Sequence, residues 1–237
     1  MIKKLIRKIF LREKGSSKSY LAYLKKKGVA IGKNCYIPDP SSVLVDLTAP
    51  WLITLGDNVT LTRGAVILTH DYSWSVFKKH GSMKGSVLGA QAPVKIGSNV
   101  FVGVNTVITR GVTIGDNVII GVGSVVTKDC ESNSVYAGNP AKKLMTLEDF
   151  TAKRVQKQFE EARGLALAYR ERFGCQPPRE IFREYFMLFC TGEQASGHPE
   201  FRYQMETGGN YAEAAAYMNA HKPMFDSYEA FLNKCYE

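Results

Sequence analysis

The sequence lacks any run of about 18 apolar residues, so it predicts no membrane-spanning helix. Its basic start is not followed by an apolar stretch with a small-residue cleavage site, and we expect a cytoplasmic protein without a secretory signal. None of the five cysteines forms a C-x-x-C pair, which argues against a disulfide framework and a zinc knuckle. With 237 residues, 45 % of them hydrophobic, the chain can still bury a core, which excludes a disordered or fibrous protein.

Acidic residues are scarce at the amino-terminal end only. The net charge is +9, and residues 1–30 alone hold ten Lys or Arg and one Glu. The remaining 207 residues hold 21 basic and 21 acidic side chains, so the body of the protein is neutral. This distribution argues against a nucleic-acid-binding body and leaves a basic arm to be explained.

A six-residue period runs through the middle of the sequence. One block has an aliphatic residue at every sixth position and a smaller residue four places later; the aliphatic positions are Ile96, Val102, Ile108, Ile114, Ile120 and Val126. An earlier block has its own register at Ile31, Ile37, Val43, Ala49, Leu55, Leu61 and Ile67. An insertion at residues 71–93 separates the two blocks.

Short internal repeats predict stacked units, because one unit cannot bury its apolar face alone. Six residues suit one short strand and a corner, and three such units close a triangular coil of 18 residues. We therefore predict a parallel β-helix of about four coils, with the aliphatic residues inside and glycines relieving the backbone at the corners. Cys35 and Cys130 fall on the smaller inward position, where we interpret them as core filler.

Helical periodicity flanks the repeats. Residues 2–27 predict two short helices broken at 15–17, with a serine as N-cap of the second. Thr146-Leu-Glu-Asp149 predicts the start of a helix that runs to Phe173. Another helix is expected over about 179–190, followed by two or three short ones over 200–237.

Three domains follow from these patterns. They are basic amphipathic helices at 1–28, the β-helix with its 71–93 insertion at 29–145, and a C-terminal helical region at 146–237. Residues 1–14 alternate basic and apolar side chains as an interfacial helix does, which predicts peripheral contact with the inner face of a membrane. A helix that caps the open first coil is the compatible alternative.

Three segments carry a family likeness: Val94-Lys-Ile-Gly-Ser-Asn-Val-Phe-Val-Gly103, Gly111-Val-Thr-Ile-Gly-Asp-Asn-Val118 and Ala137-Gly-Asn-Pro-Ala-Lys-Lys143. They resemble the hexapeptide-repeat acyltransferases, in particular the galactoside and maltose O-acetyltransferases and the polysaccharide O-acetyltransferases, over about residues 28–145. The resemblance implies a left-handed β-helix and a homotrimer with acetyl-coenzyme A between neighbouring subunits. It also implies acetyl transfer to a hydroxyl of a sugar or polysaccharide precursor.

Such a transfer needs a base, because an acceptor hydroxyl titrates far above neutral pH. His70, in Ile67-Leu-Thr-His-Asp-Tyr72, is the only histidine in the repeat register, and the resemblance gives it the role of catalytic base. A surface-loop histidine is the alternative. Neighbours in extended chain point to opposite faces, so we interpret Asp71 as a turn residue and leave the partner that orients His70 unassigned.

The resemblance assigns five positions to acetyl-coenzyme A: Val104, Val122, Thr127, Lys128 and Lys142. The two valines would contact the pantetheine arm through main-chain groups, and Thr127 and Lys128 would lie near the nucleotide. Lys142 would face a phosphate as a point charge. For the two lysines, solvated surface charge is the alternative.

The insertion contains Trp74 and Phe77, which are expected to stack on the acceptor sugar or to anchor the loop on a neighbouring subunit.

Three other functions share this pattern of repeats. Gamma-class carbonic anhydrases bind zinc through three histidines, but His80, His198 and His221 lie outside the repeats, so we predict no metal. Streptogramin-type antibiotic acetyltransferases also have a large loop after the histidine and are the alternative enzyme. A non-catalytic β-helix scaffold is the third.

Overall fold

The computed structural model describes residues 12–237. By contacts the chain divides into two compact units, Met1–Phe150 and Thr151–Glu237. The predicted interfacial helix of residues 1–14 lies outside the described residues, apart from the 3₁₀ turn Arg12–Gly15. No helix among the described residues combines the length and the apolar character needed to cross a bilayer.

Short strands dominate the first unit. In chain order they are β1 (Ala30–Ile31), β2 (Leu44–Val45), β3 (Ile53–Leu55), β4 (Val59–Leu61), β5 (Val66–Ile67), β6 (His70–Asp71), β7 (Ala90–Gln91), β8 (Val94–Ile96), β9 (Val100–Val102), β10 (Val107–Ile108), β11 (Thr113–Ile114), β12 (Val118–Ile120), β13 (Val125–Val126), β14 (Ser134–Ala137) and β15 (Lys142–Thr146).

The strands enter three sheets in rotation. The first sheet contains β1, β3, β8 and β11, the second β4, β9, β12, β14 and β15, and the third β2, β5, β10 and β13. All pairs in these sheets are parallel except β14 with β15. The later coils repeat every 18 residues, since Ile96 pairs with Ile114 and Val102 with Ile120. The parallel stacking predicted from the six-residue period is confirmed.

The core of this unit is the column of repeated aliphatic residues. Every aliphatic position of the second block is at most 2 % exposed, from Ile96 to Val126. The smaller positions are buried as well, including Thr106, Ser124 and Cys130. Cys35 is only half-buried, so its interpretation as core filler is correct only in part.

The register predicted for the first block is wrong in its middle. Val45, not Val43, lies beside Ile67, and Ile31 pairs with Leu55, 24 positions later instead of 18. The first coil therefore holds six extra residues, which are divided between its two later corners. Because the six extra residues equal one period, the six-residue spacing of aliphatic residues is regained at Leu55. Val43 and Ala49 therefore fit the sequence period although neither lies in a strand.

The corner glycines have two roles. Gly64, Gly111 and Gly123 relieve the backbone as predicted, with φ of 68–80°. Four others stack in a column: Gly32, Gly56, Gly97 and Gly115. A Cβ at Gly97 would lie 2.7 Å from the carbonyl carbon of Gly115, so the column exists because successive coils approach too closely for any side chain. Asparagines adopt the left-handed backbone in this unit, with φ of 54–57° at Asn34, Asn58, Asn99, Asn117 and Asn133.

Two helices of the described residues begin or end at the predicted signals. The helices, in chain order, are α1 (Ser17–Lys27), α2 (Trp74–Phe77), α3 (Leu147–Phe173), α4 (Gly192–Gly197), α5 (Pro199–Glu206), α6 (Tyr211–Ala220) and α7 (Tyr228–Tyr236). The Ser16 hydroxyl caps α1 by accepting from the Ser19 N–H, and Gly174, with φ of 67°, follows the last residue of α3.

The predicted helix over 179–190 is wrong. The segment forms two 3₁₀ turns, Arg179–Phe182 and Phe186–Leu188. Phe186, Leu188 and Cys190 are all buried, and a regular helix would spread residues at that spacing around its circumference. Packing of these side chains into the core of the second unit therefore overrides helical propensity.

Candidate active site

His70 is held where the second coil leads into the inserted loop. It begins β6, which pairs antiparallel with β7 at the far end of the insertion, so that His70 lies opposite Gln91. The Ala92 N–H also donates to the Thr69 carbonyl oxygen, 3.0 Å away. These bonds close the base of the loop and fix the backbone from which the imidazole projects.

Asp46, from the first coil, is the hydrogen-bond partner of the imidazole. Its Oδ2 lies 2.5 Å from Nδ1 of His70. The same oxygen accepts from the Thr69 N–H at 2.9 Å and from the Thr69 hydroxyl at 2.5 Å, while Oδ1 accepts from the Thr48 N–H at 2.9 Å. Asp46 is 6 % exposed, so its carboxylate is a buried acceptor surrounded by donors.

The surroundings of Asp46 keep its carboxyl ionised. Burial alone would raise its pKa, but the hydrogen bonds from Thr69, Thr48 and His70 outweigh that effect and hold the pKa well below its usual range. An ionised carboxylate can only accept, so Nδ1 of His70 donates. In the neutral ring Nε2 then carries the lone pair, and no hydrogen bond within residues 12–237 occupies it.

Asp71 belongs to the loop and not to the imidazole. Its Oδ1 accepts from the N–H and hydroxyl of Ser73, as in a turn, and its Oδ2 accepts from Nε of Arg110 at 2.7 Å. The Ser73 hydroxyl and the Arg110 guanidinium lower the pKa of the Asp71 carboxyl to about 2. The interpretation of Asp71 as a turn residue agrees with these contacts.

A row of side chains extends from the imidazole over the loop. The Tyr72 ring meets His70 edge-on with centroids 4.8 Å apart, and Trp74 follows 6.1 Å beyond Tyr72. Nζ of Lys78 lies 5.5 Å from the centroid of the Trp74 ring. Tyr72 is 62 % exposed, whereas Trp74 is half-buried. Phe77, also half-buried, is not in this row.

The two valines assigned to the cofactor are neighbours on successive coils. The Gly123 N–H donates to the Val104 carbonyl at 2.8 Å, which fixes the two corners against each other. Val122 is 72 % exposed, and within the described residues no hydrogen bond uses its N–H or its carbonyl. These corners therefore offer an apolar surface beside unused main-chain groups.

The remaining cofactor positions lie elsewhere on the coils. Thr127 and Lys128 follow β13, in register with Leu68 and Thr69 of the second coil. Val104 and Val122 precede β10 and β13 of the third sheet, whereas Thr127 and Lys128 follow β13. Within one chain, the valines and the Thr127–Lys128 pair therefore lie at opposite ends of these strands. Lys142 begins β15 and is exposed, and no carboxylate of the described residues pairs with it or with Lys128.

Within residues 12–237, no three His, Cys, Asp or Glu side chains are placed to hold a metal ion. His198 and His221 belong to the second unit, and His80 is exposed in the inserted loop.

Sequence reasoning missed two residues of this site. Asp46 lies 24 positions before His70 and has no motif of its own; a buried carboxylate becomes visible only in the structure. Tyr72 had a usable signal, because residues two apart in extended chain share a face, which places it on the side of His70.

Known proteins identify the family. The sequence model described as "Hexapeptide repeat of succinyl-transferase" matches residues 93–128. Protein CapG of Staphylococcus aureus is 39 % identical over 156 residues, which are 64 % of this chain and 83 % of CapG. The chain belongs to the hexapeptide-repeat acetyltransferase family.

Other relatives of this hexapeptide-repeat protein match a smaller share of its length. The galactoside O-acetyltransferase of Escherichia coli is 36 % identical over 122 residues, 51 % of this chain and 55 % of that enzyme. A hexapeptide-repeat acetyltransferase of Vibrio cholerae, solved with acetyl-coenzyme A, is 25 % identical. That match covers 51 % of this chain and 61 % of the other, with a TM-score of 0.37.

Proposed function

We propose that this protein is an acetyl-coenzyme-A-dependent O-acetyltransferase that acetylates a hydroxyl of a carbohydrate, with His70 as general base. The observation that carries the proposal is the buried Asp46 carboxylate, 2.5 Å from Nδ1 of His70, in a chain of the acetyltransferase family. The similarity to a galactoside O-acetyltransferase supports a sugar as acceptor.

The finer architecture is part of this proposal. We take the three-sheet coil to be the left-handed, triangular β-helix of the family, assembled as a homotrimer. In support, one chain places the two valines and the Thr127–Lys128 pair at opposite ends of the strands in the third sheet, so that a groove between two copies would combine them. Contact of residues 1–14 with a membrane surface stays a prediction.

The proposed chemistry uses the lone pair on Nε2. Nε2 takes the proton of the acceptor hydroxyl while the hydroxyl oxygen bonds to the thioester carbonyl carbon. Asp46 stabilises the resulting imidazolium through Nδ1 and keeps the ring oriented. As the carbon–sulfur bond breaks, Nε2 returns the proton to the departing sulfur. Backbone N–H groups are expected to hold the developing oxyanion.

The donor positions suit the chemistry of acetyl-coenzyme A. The exposed apolar corners of Val104 and Val122, with the unused N–H and carbonyl of Val122, match a pantetheine arm that carries amides. Thr127 adds an exposed hydroxyl beside Lys128, and the ammonium groups of Lys128 and Lys142, which have no carboxylate partner in residues 12–237, match the phosphates. Trp74 is proposed to contact the acceptor through its place in the aromatic row, and Phe77 to anchor the loop.

The test compares wild type with His70→Ala and His80→Ala in the presence of acetyl-coenzyme A and a panel of oligosaccharides, with release of coenzyme A thiol as the readout. We expect acceptor-dependent release that falls about a hundredfold or more in His70→Ala. His80 is exposed in the loop, and its variant serves as the matched control with near-normal release.

Each contrary result has a distinct meaning. Equal release by wild type and His70→Ala refutes the role of His70. Cofactor binding without release shows that the panel holds no acceptor and makes antibiotics the next panel. If wild type neither binds acetyl-coenzyme A nor releases thiol, the scaffold alternative is correct.

A further inference from the structure

The inserted loop carries positive charge that no carboxylate of the described residues neutralises. Residues 72–93 contain Lys78, Lys79 and Lys84 and no Asp or Glu. All three lysines are exposed, and no carboxylate within residues 12–237 forms an ion pair with any of them. Two carboxylates lie at the base of the loop: that of Asp46 is occupied by Thr48, Thr69 and His70, and that of Asp71 by Ser73 and Arg110.

One of these lysines is fixed relative to the proposed base. Lys78 directly follows α2, and its N–H donates to the Trp74 carbonyl at 2.9 Å. Its carbonyl in turn accepts from the Gly85 N–H at 2.7 Å. The ammonium lies against the Trp74 ring, as in a cation–π contact. Lys78 is therefore the end of the row that begins at His70 and passes through Tyr72 and Trp74.

This row has the features of a subsite for a charged carbohydrate. The exposed Tyr72 ring offers a face to a sugar beside the imidazole, and the ammonium beyond Trp74 offers a cation that no carboxylate in residues 12–237 pairs with. A hydroxyl of a neutral acceptor would accept a hydrogen bond from that ammonium, whereas an anionic group on the acceptor would add the attraction between opposite charges.

We propose that the acceptor is an anionic carbohydrate, and that Lys78 binds its carboxylate or phosphate at the far end of the row His70–Tyr72–Trp74. This inference rests on the proposed function, which places the acceptor hydroxyl at His70. Lys79 and Lys84 add a positive field around the loop and speed the encounter with such an acceptor.

Direct binding tests the inference separately from the activity. The probes are a tetrasaccharide that contains uronic acids and the same tetrasaccharide after reduction of its carboxyl groups to alcohols. Calorimetry in the absence of acetyl-coenzyme A, so that no acetyl transfer accompanies binding, compares His70→Ala with His70→Ala/Lys78→Met. We expect the acidic probe to bind about five- to tenfold more tightly than the reduced one in low salt, because hydrogen bonds to charged groups are the stronger ones.

The second variant should lose that preference and bind both probes alike. Replacing Lys78 with Arg in place of Met should retain the preference. Lys33 is an exposed lysine of the first coil, outside the inserted loop, and Lys33→Met is the control for the loss of one exposed lysine. Equal affinity of His70→Ala for the two probes, or no binding of the acidic one, overturns the inference. So does a preference that Lys78→Met leaves intact.

Kinetics on the active protein separate two sources of the anion, because the phosphates of acetyl-coenzyme A have the same chemistry as an acidic acceptor. With Lys78→Met we expect a higher KM for the acidic acceptor and an unchanged KM for acetyl-coenzyme A. A higher KM for the donor alone assigns Lys78 to the cofactor and overturns the inference. Absence of thiol release with the calorimetric preference present contradicts the proposed function and supports the charged subsite.

Discussion

Replacing Asp46 with Asn is the sharpest test of how the site works. Asp46 presents Oδ2 to three donors, the N–H and hydroxyl of Thr69 and Nδ1 of His70, and Oδ1 to the Thr48 N–H. An amide has one oxygen and one NH₂ group, so no rotamer of Asn satisfies both sides. Either the NH₂ group faces the Thr48 N–H, or it faces Thr69 and His70.

Both arrangements slow the reaction, by different amounts. With the amide oxygen toward His70, the tautomer is kept and the negative charge is lost; a hydrogen bond to a charged group contributes about 1.5–3 kcal/mol, which corresponds to roughly ten- to two-hundredfold in kcat. With the NH₂ group toward His70, Nδ1 must accept, Nε2 carries the proton, and kcat falls by up to ~10⁴-fold.

The assay is steady-state thiol release, with the free energy of unfolding measured in urea. Asp46→Asn should lower kcat within that range, leave the KM for acetyl-coenzyme A unchanged and destabilise the fold by about 1–3 kcal/mol through the unpaired donor. Asp71→Asn is the matched control, since this neighbouring carboxylate contacts Ser73 and Arg110 and should keep near-normal kcat.

A folded Asp46→Asn protein with wild-type kcat would refute the reasoning. A double variant provides a second check, because residues that act as a unit are not additive. Asp46→Asn/His70→Ala should be no slower than His70→Ala alone, and a further large loss would show that Asp46 acts independently of the imidazole.

Three further predictions concern stability and the donor. Because the pKa of Asp46 is lower in the folded than in the unfolded chain, its stabilising contribution is complete above about pH 4 and is lost as the pH falls further; the gap in unfolding free energy between wild type and Asp46→Asn should narrow in acid. Gly97→Ala should cost about 1–3 kcal/mol or more, because its Cβ would overlap the backbone of Gly115. Gly89→Ala, with open space around it, should be nearly neutral in the same urea titration. Lys142→Met should raise the KM for acetyl-coenzyme A about three- to tenfold with kcat unchanged, and an unchanged KM would leave this lysine as solvated surface charge.

The sequence alone determined most of the repeat. Positions such as Ile108 and Ile120 must be aliphatic because each strand of a coil buries a large side chain at this position, and that requirement recurs every six residues along the chain. The ends of α1 and α3 were predictable for a similar reason, since caps such as Ser16 and Gly174 act within a few residues. His70 stood out as the one histidine in the repeat register.

Only the tertiary structure decided the rest. The extra residues of the first coil cannot be located from the sequence, because six insertions leave a six-residue period intact and only the pairing of Val45 with Ile67 shows where they lie. Those insertions also surround Asp46, whose role depends on a contact with His70 in the next coil. The local sequence pattern indicates which face of a strand is buried. Which residues of two successive coils come into contact depends instead on the number of residues at each corner. The stacking of coils, and not the motif around His70, therefore supplies the carboxylate that orients the proposed base.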